Sequence, residues 1–291
     1  MILSIKDEWL PFWDRVERGE VSEVEANSIK AEQEKISEVL TAIAEDNYDH
    51  GGNVAVLPLF GVLSQHGGWF STSTELFGRA FDRMVASSRI GGIVVNIHSP
   101  GGQHWGSEEL SNKIYEARNE KPIVGVSNAM SASAAYYTGS AVKEFVVTPS
   151  GEAGYIGTYT YRFEDNGAVE KAGYKLKVYA VPTKKGEVAG ILPTSEETDQ
   201  EILDEVKECY EQFVSAVARN RVKSVKYVKE HFGGGGGQLA KAAVESGMAD
   251  RVATLDEVVR ELSAKVSRGK RGRHASANQR QIDLAKVRGI G

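Results

Sequence analysis

The feature that most constrains the fold is a short run that is apolar at nearly every position, Gly92-Ile-Val-Val-Asn-Ile97. Because its β-branched residues do not alternate with polar ones, the run predicts a strand buried on both faces, as in a parallel sheet. The alternation of such runs with helical patterns predicts an α/β fold, in which helices pack against a mainly parallel sheet. Further strands are predicted at 53–63, 122–126 and 144–148, and helices at 71–88, 107–118, 133–141 and 201–220.

Length and composition describe an ordinary globular protein. The chain has 291 residues, of which 41% are hydrophobic and 26% charged, enough for one large domain with appendages or two small ones. Its one cysteine, Cys209, allows no internal disulfide. No apolar run approaches the roughly 18 residues of a membrane span, and residues 1–7 lack the features of a signal peptide. The net charge of −5 argues against a general nucleic-acid binder.

The chain divides into three predicted parts, residues 1–48, 49–264 and 265–291. The first is predicted to be helical, and either covers the main domain as a solvated hairpin or binds a partner. The last holds eight Lys and Arg residues against one acidic residue, Asp283, which predicts a disordered tail. Such a tail either solubilises the chain or docks on an acidic partner or, weakly, on nucleic acid. The apolar positions of the first part are Trp9, Phe12, Trp13, Val16, Ile36, Leu40 and Ile43.

A candidate nucleophile lies in the stretch Asn128-Ala-Met-Ser-Ala-Ser-Ala-Ala-Tyr-Tyr-Thr-Gly139. Ser133 follows a predicted strand and opens a predicted helix, where backbone N–H groups lack partners. A serine at that place can attack a carbonyl and leave the oxyanion beside those donors. The alternative is that these residues are small only so that the helix can pack closely on the sheet.

Candidate oxyanion donors lie on both sides of this serine. The motif Ser99-Pro-Gly-Gly102 follows the buried strand, at the sheet edge where α/β proteins bind ligands. Paired glycines allow backbone N–H groups to point into a site. Gly102 is therefore one candidate donor and Ala134, next to the nucleophile, the other. An ordinary Pro-Gly turn is the alternative.

A catalytic serine needs a base, and the histidines offer few candidates. No histidine lies between His104 and His231, and His98 and His104 near the glycine turn are as readily explained as structural residues. A lysine with a lowered pKa is the other base that activates serine. Two candidates, Lys184 and Lys185, follow a predicted strand at 175–181.

Three motifs in succession resemble those of the signal peptide peptidase A (protease IV) family. They are Ser99-Pro-Gly-Gly102, Ser131-Ala-Ser-Ala-Ala-Tyr-Tyr137 and Pro149-Ser-Gly-Glu-Ala-Gly-Tyr-Ile-Gly157. The resemblance covers about residues 53–262. It implies a fold like that of ClpP and crotonase, and a peptidase that uses a Ser/Lys dyad and needs no cofactor or metal. Ser133 falls on the family's nucleophile.

The resemblance also suggests which lysine is the base. The family places it ten residues before a threonine that opens an acidic helix start, and Thr194-Ser-Glu-Glu197 fits that start as a capping box with Thr194 as the N-cap. Counting back ten residues gives Lys184, with Lys185 as the alternative if the register shifts by one. Tyr155 stands where the family has a serine that orients the lysine, and its phenol is the candidate replacement.

The branch of the family that the chain resembles most is the soluble head maturation proteases of tailed phages, of the lambda C-protein type. This predicts an endopeptidase that cuts scaffold, portal or coat protein, and its own chain as a further candidate, in the host cytoplasm or the immature capsid. A soluble bacterial peptidase of the same family and an acyl-CoA enzyme of the crotonase fold are the alternatives.

Two further expectations concern assembly and a glycine-rich stretch. A homo-oligomer is expected, because a predicted apolar surface would be hard for a monomer to cover. Gly233–Gly237 are not followed by the Gly-Lys-Ser/Thr of a phosphate loop, which predicts a flexible loop. The residues of the predicted apolar surface are Trp69, Phe70, Leu76 and Phe77.

Overall fold

The computed structural model describes residues 3–5, 23–45, 52–162, 171–175 and 177–268. The strands in these ranges are β1 (Leu3–Ile5), β2 (Val54–Phe60), β3 (Val62–Ser64), β4 (Ser71–Ser73), β5 (Gly92–Ser99), β6 (Gly101–Gln103), β7 (Ile123–Ala132), β8 (Glu144–Val147), β9 (Glu152–Gly154), β10 (Gly237–Leu239) and β11 (Arg251–Val252). The helices are α1 (Glu23–Ala44), α2 (Thr74–Ala86), α3 (Ser107–Ala117), α4 (Ala134–Gly139), α5 (Thr183–Val188), α6 (Glu196–Arg221), α7 (Val225–His231), α8 (Ala240–Ser246) and α9 (255–268).

Two sheets organise these elements. The larger has seven strands, with β10, β9, β7, β5 and β2 in order, and with β8 and β11 continuing from β7. All of its neighbours run parallel except β10, which pairs antiparallel with β9. The smaller sheet has the order β1, β6, β3, β4. The α/β class with a mainly parallel sheet, predicted from the sequence, is confirmed.

Strand β5 is buried on both faces, as its nearly continuous apolar sequence predicts. Ile93, Val95 and Ile97 face the main core, which lies between the sheet and the helices. Val94 faces a second core that helix α9 closes on the other side. Alternate side chains of a strand point to opposite faces, so a strand covered on both sides needs apolar residues at consecutive positions. The other members of the second core are Val54, Val124, Val126, Val146, Ala253, Val258, Leu262 and Val266.

Helix α1 belongs to the main core and is not a separate arm. Its predicted apolar stripe, Ile36, Leu40 and Ile43, is buried against the domain. Gln33 on the same helix is also buried, and its Oε1 accepts a hydrogen bond from Thr72 Oγ1 at 3.0 Å. Residues 23–45 therefore cover the domain, as one of the two sequence interpretations holds. The predicted apolar positions from Trp9 to Val16 lie outside the described residues.

The predicted apolar surface is largely wrong. Phe77 is fully buried in the main core and Leu76 packs against it, because helix α2 turns this side toward the sheet. Of the four predicted residues, Trp69 alone is strongly exposed, at 72%, and Lys30 lies over its ring with Nζ 4.8 Å from the centroid.

Two further segments differ from the prediction, one inside the main domain and one at its end. The predicted strand at 175–181 is irregular wherever it is described. Helix α9 continues past the predicted boundary at 264, and Val266 is buried in the second core. The rest of the predicted basic tail, from residue 269, lies outside the described residues. None of the helices in the described part of the chain combines the length and apolar character that crossing a bilayer requires.

Candidate active site

Ser133 lies at a sharp turn between the end of β7 and the start of α4. Its φ is 55° and its ψ −123°, a conformation that costs a non-glycine residue about 1–3 kcal/mol unless its surroundings impose it. The surroundings here are a strand on each side of β7 and a direct bond, since Ser133 N donates to Gly154 O at 2.7 Å. The residue is only 1% exposed. The backbone thus fixes this serine at the point where the sheet meets the helix.

Helix α4 is shorter than predicted, since it ends at Gly139 and not at Ala141. A helix of six residues has too small a dipole to stabilise an oxyanion by itself. The N–H of Ala134, which opens the helix, has no acceptor within the helix itself. Any oxyanion stabilisation on this side therefore depends on that single N–H group.

The Ser99-Pro-Gly-Gly102 turn is built around close backbone contacts. Ser99 Oγ accepts a hydrogen bond from Gly101 N at 3.1 Å, and Gly101 has a φ of 102°. A Cβ at position 102 would stand 1.9 Å from Leu63 O on the neighbouring strand β3. Packing alone therefore requires glycine at 102. Strand β6, which carries Gly102, also lies against α4, so the structure brings Ser133, Ala134 and Gly102 into one region.

Small residues after β7 also serve packing, as the alternative interpretation holds. Ala134 and Ala135 are buried, and a Cβ at Gly139 would lie 2.6 Å from Ile97 Cδ1. Close packing does not require the strained backbone at Ser133, because the small residues that follow it pack against the sheet in ordinary helical geometry. The nucleophile interpretation rests on that difference.

The side chain of Tyr155 bonds to a carboxylate of β9. Its hydroxyl donates to Glu152 Oε2 at 3.0 Å, and its own backbone has a φ of 56°. Its N donates to Gly236 O at 3.0 Å, and a Cβ at Gly237 would stand 2.2 Å from the Tyr155 ring. The tyrosine therefore supports β9, which in turn holds Ser133. Its predicted role in orienting the lysine stays a prediction.

The glycine-rich stretch, predicted as a flexible loop, forms a turn whose last glycine begins β10. Gly233, Gly234 and Gly235 all have positive φ, and Gly236 N donates to Gly233 O at 2.8 Å. Gly237 then begins β10, which pairs with β9. Sequence reasoning missed this role because the signal is a contact with the Tyr155 ring, which is distant in sequence.

The candidate lysines lie on α5, which packs against α6. The ammonium of Lys184 forms an ion pair with Glu201, with 42% of the lysine side chain exposed. The hydrogen bond that Lys184 donates to Glu201 raises the pKa of the lysine, and the charges of Glu201, Glu197 and Glu187 add to the effect. A general base must lose its proton near neutral pH. The arrangement of Lys184 is the reverse of what that role needs.

The N-cap of helix α6 lies one residue later than the sequence predicts, and the choice between the two lysines depends on that position. The N-cap is Ser195, whose Oγ accepts from Thr198 N at 3.3 Å, and not Thr194. Glu187 of α5 accepts hydrogen bonds from Thr198 Oγ1 and from the Oγ and N of Ser195, which lower the pKa of its carboxyl group. This carboxylate takes the place that a capping box assigns to the third helical residue. Counting back ten residues from the observed N-cap gives Lys185.

The histidines near the glycine turn make contacts typical of structural residues. His98 is exposed and its ring lies edge-on to Phe60, with 6.2 Å between centroids. His104 Nε2 lies 3.2 Å from Gln212 Oε1, and its ring stands 6.5 Å from that of Tyr137. These contacts account for both residues without a catalytic role.

The chain is similar to phage and bacterial proteins. The head-tail preconnector protein GP5 of Enterobacteria phage P21 is 26% identical over 227 residues, covering 75% of this chain and 44% of the relative. Capsid assembly protease C of Escherichia phage lambda is 25% identical over 245 residues, covering 80% of this chain and 55% of the relative. A protein of Enterococcus faecium described as signal peptide peptidase SppA is 23% identical over 226 residues, covering 75% of this chain and 65% of the relative.

The chain spans about half the length of the two phage relatives. The sequence profile of peptidase family S49 matches residues 116–268, which include β7, the candidate serine and both candidate lysines. This match covers more than half of the chain, and the predicted resemblance to signal peptide peptidases and phage capsid proteases is confirmed by the relatives. The chain belongs to peptidase family S49.

Proposed function

We propose that the chain is a serine endopeptidase in which Ser133 is the nucleophile and a lysine of α5 is the base. The observation that carries the proposal is the strained, buried backbone of Ser133 between β7 and α4. Sheet pairing on both sides of β7 fixes the serine there, and strain that packing does not require is typical of functional residues. Membership of a peptidase family supplies the reaction class.

The chemistry follows from these groups. The neutral lysine amine takes the proton of the Ser133 hydroxyl while Oγ bonds to the scissile carbonyl carbon. The carbonyl oxygen becomes an oxyanion, for which the N–H groups of Gly102 and Ala134 are the candidate donors. Collapse breaks the C–N bond, and the ammonium returns the proton to the leaving amine. Water then attacks the acyl-enzyme with the same lysine as base, which releases the acid and restores the serine.

Lys185 is the better candidate for the base. Lys185 lies ten residues before Ser195, the observed N-cap of α6, which is the spacing that the resemblance assigns to the base. Lys184 is engaged by Glu201, which stabilises the protonated form and raises its pKa. Lys184 remains the alternative, since the Glu201 ion pair is partly exposed and substrate binding can rearrange such a pair.

The substrate class proposed is the structural proteins of a phage head. One relative is named for capsid assembly and another for the head-tail preconnector, and both match three quarters or more of this chain. Scaffold, portal or coat protein, together with the chain itself, are the candidate substrates, and the immature capsid in the host cytoplasm is the expected place. The similarity to a signal peptide peptidase supports a second candidate, a bacterial peptidase that degrades signal peptides.

The proposal includes a homo-oligomer, whose contact surface differs from the apolar surface predicted from the sequence. The segment 174–191, which carries both lysines, exposes large apolar side chains that include Tyr179 at 89% and Val181 at 97%. Exposed apolar surface of this kind marks interaction sites. Light scattering after size-exclusion chromatography tests it, with Tyr179→Ser and Val181→Ser expected to lower the mass and Val222→Ser, an exposed valine at the end of α6, as the control.

One experiment tests the enzyme class and another the substrate class. A fluorophosphonate probe should label the protein on the peptide that contains Ser133, and labelling of another residue or of none contradicts the nucleophile. The purified protein is then incubated with scaffold, portal and coat proteins encoded beside it, and with free signal peptides. Cleavage of signal peptides alone would replace the capsid proposal with the cellular one.

A further inference from the structure

The segment Leu3–Ile5 lies on the strand that carries the candidate oxyanion donor. As β1 it pairs antiparallel with β6, with Leu3 opposite Gln103, Ser4 opposite Gly102 and Ile5 opposite Gly101. The other edge of β6 is taken by β3, through the pair Leu63 and Gly102. Residues near the start of the chain thus occupy the remaining edge of β6, directly opposite Gly102.

This edge is where an extended peptide would bind. With Gly102 N–H as the proposed oxyanion donor, a bound polypeptide passes beside β6, and the backbone of a strand edge can bind such a chain as a further strand. Because β3 already fills one side, the incoming chain has the side on which β1 lies. Helix α4, which begins after Ser133, also packs against β6.

We propose that residues 3–5 are a tethered occupant of the substrate edge, and that they must leave β6 before an extended polypeptide can bind. The proposal rests on the proposed function, since it assigns the edge of β6 to the substrate of the same site. A three-residue strand makes few backbone hydrogen bonds, so it is displaced easily. Tethering nevertheless gives it an effective concentration on the order of millimolar, enough to compete with a dilute substrate.

A disulfide across the pair tests the inference in the full chain. Directly opposite residues of antiparallel strands have Cα atoms about 4.5–5.5 Å apart, within the span of a disulfide. The variant combines Leu3→Cys with Gln103→Cys, and each single variant is the control. The native Cys209 is buried, so it contributes little background. We expect the double variant to form an intramolecular crosslink under mild oxidation, to lose peptide hydrolysis, and to recover it when reduced.

The outcomes separate the inference from the proposed function. A crosslink that forms while hydrolysis continues shows that the substrate does not need this edge, and overturns the inference. Failure to crosslink shows that β1 does not stay on β6, and overturns it as well. A reduced protein that neither cleaves peptides nor reacts with a fluorophosphonate contradicts the proposed function itself, which is a different readout from the crosslink.

A second variant keeps the test independent of disulfide geometry. Ser4→Pro removes a backbone donor and disfavours the strand, with Ser4→Ala as the matched control. If β1 competes with substrate, Ser4→Pro should lower KM for an extended peptide by about fivefold or more while kcat stays unchanged. An unchanged KM, or a loss of kcat with the fold intact, contradicts the competition.

Discussion

The two halves of the candidate dyad lie in very different surroundings. The serine half is buried at the end of β7, with strands β5 and β9 pairing on either side and Gly154 O accepting from Ser133 N. The lysine half lies on a short helix after an irregular segment, among exposed apolar side chains. The sheet therefore determines the position of the nucleophile, whereas the base depends on a segment with much of its surface in solvent.

Electrostatics differ between the halves in the same way. The Ser133 backbone hydrogen-bonds to neutral backbone groups of β9 and α4, whereas Lys184 is surrounded by Glu187, Glu197 and Glu201. Carboxylates close to a lysine favour its charged form. An activated lysine needs burial or a neighbouring cation, so Lys184 would have to change its surroundings before it could act as a base.

The largest effect should come from the serine half. Ser133→Ala should lower kcat by about 10⁴-fold or more with the fold intact, since the nucleophile of a dyad has no substitute. The matched control is Ser131→Ala, two residues earlier. Ser131 Oγ is buried without a hydrogen-bond partner among the described residues, so its loss should leave the rate and the stability nearly unchanged. Peptide hydrolysis and the thermal midpoint of both variants measure this, and a reversed result would show that the nucleophile has been misassigned.

The next effect should come from the lysine half. Lys185→Ala is expected to lose as much activity as Ser133→Ala, and the double variant no more, because members of a dyad act as a unit. Lys184→Ala should retain most of the activity. Single-turnover rates of acylation provide the measurement. If Lys184→Ala is the inactive variant, the sequence count from Thr194 holds and the structural register does not.

The sequence predicts the serine half better than the lysine half for a physical reason. The strand β5 and the two motifs around Gly102 and Ser133 are local patterns, in which burial on both faces or a tight turn leaves few alternatives. These local patterns predict the α/β class and the position of Ser133 between a strand and a helix. The apolar stripe of α1 follows in the same way, from its helical spacing.

What the sequence misses depends on contacts between distant residues. The segment predicted as a strand before the lysines is irregular at each of its described residues. The N-cap lies at Ser195 and not at Thr194, and Glu187 of another helix bonds to it. Likewise, Gly237 becomes part of β10 because its lack of a side chain accommodates the Tyr155 ring. No local pattern specifies these partners, so the sequence predicts the N-cap of α6 one residue too early.

A smaller effect should come from the oxyanion side of the serine half. Gly102→Ala places a Cβ 1.9 Å from Leu63 O, so strand β6 or β3 must move. Displacing one oxyanion donor costs about 10²–10³ in kcat, and overpacking costs about 1–3 kcal/mol of stability. The control is Gly157→Ala, where nothing lies within 4 Å of the added Cβ. Equal losses of kcat in both variants would show that the effect is not specific to the β6 contact.

The smallest effect is expected when the carboxylate beside Lys184 is removed, and its sign distinguishes the two lysines. Glu201 raises the pKa of Lys184, so Glu201→Gln should lower that pKa. If Lys184 were the base, more of it would be neutral at each pH below the pKa, and the acidic limb of the pH–rate profile would move to lower pH. With Lys185 as the base, the limb should stay where it is and the rate should change by less than about twofold. Asp204→Asn is the matched control, since it removes a carboxylate from the same helix that pairs instead with Lys207. A limb that moves in Glu201→Gln and not in Asp204→Asn would assign the base to Lys184, and would show that the ion pair with Glu201 restrains the base in the free enzyme.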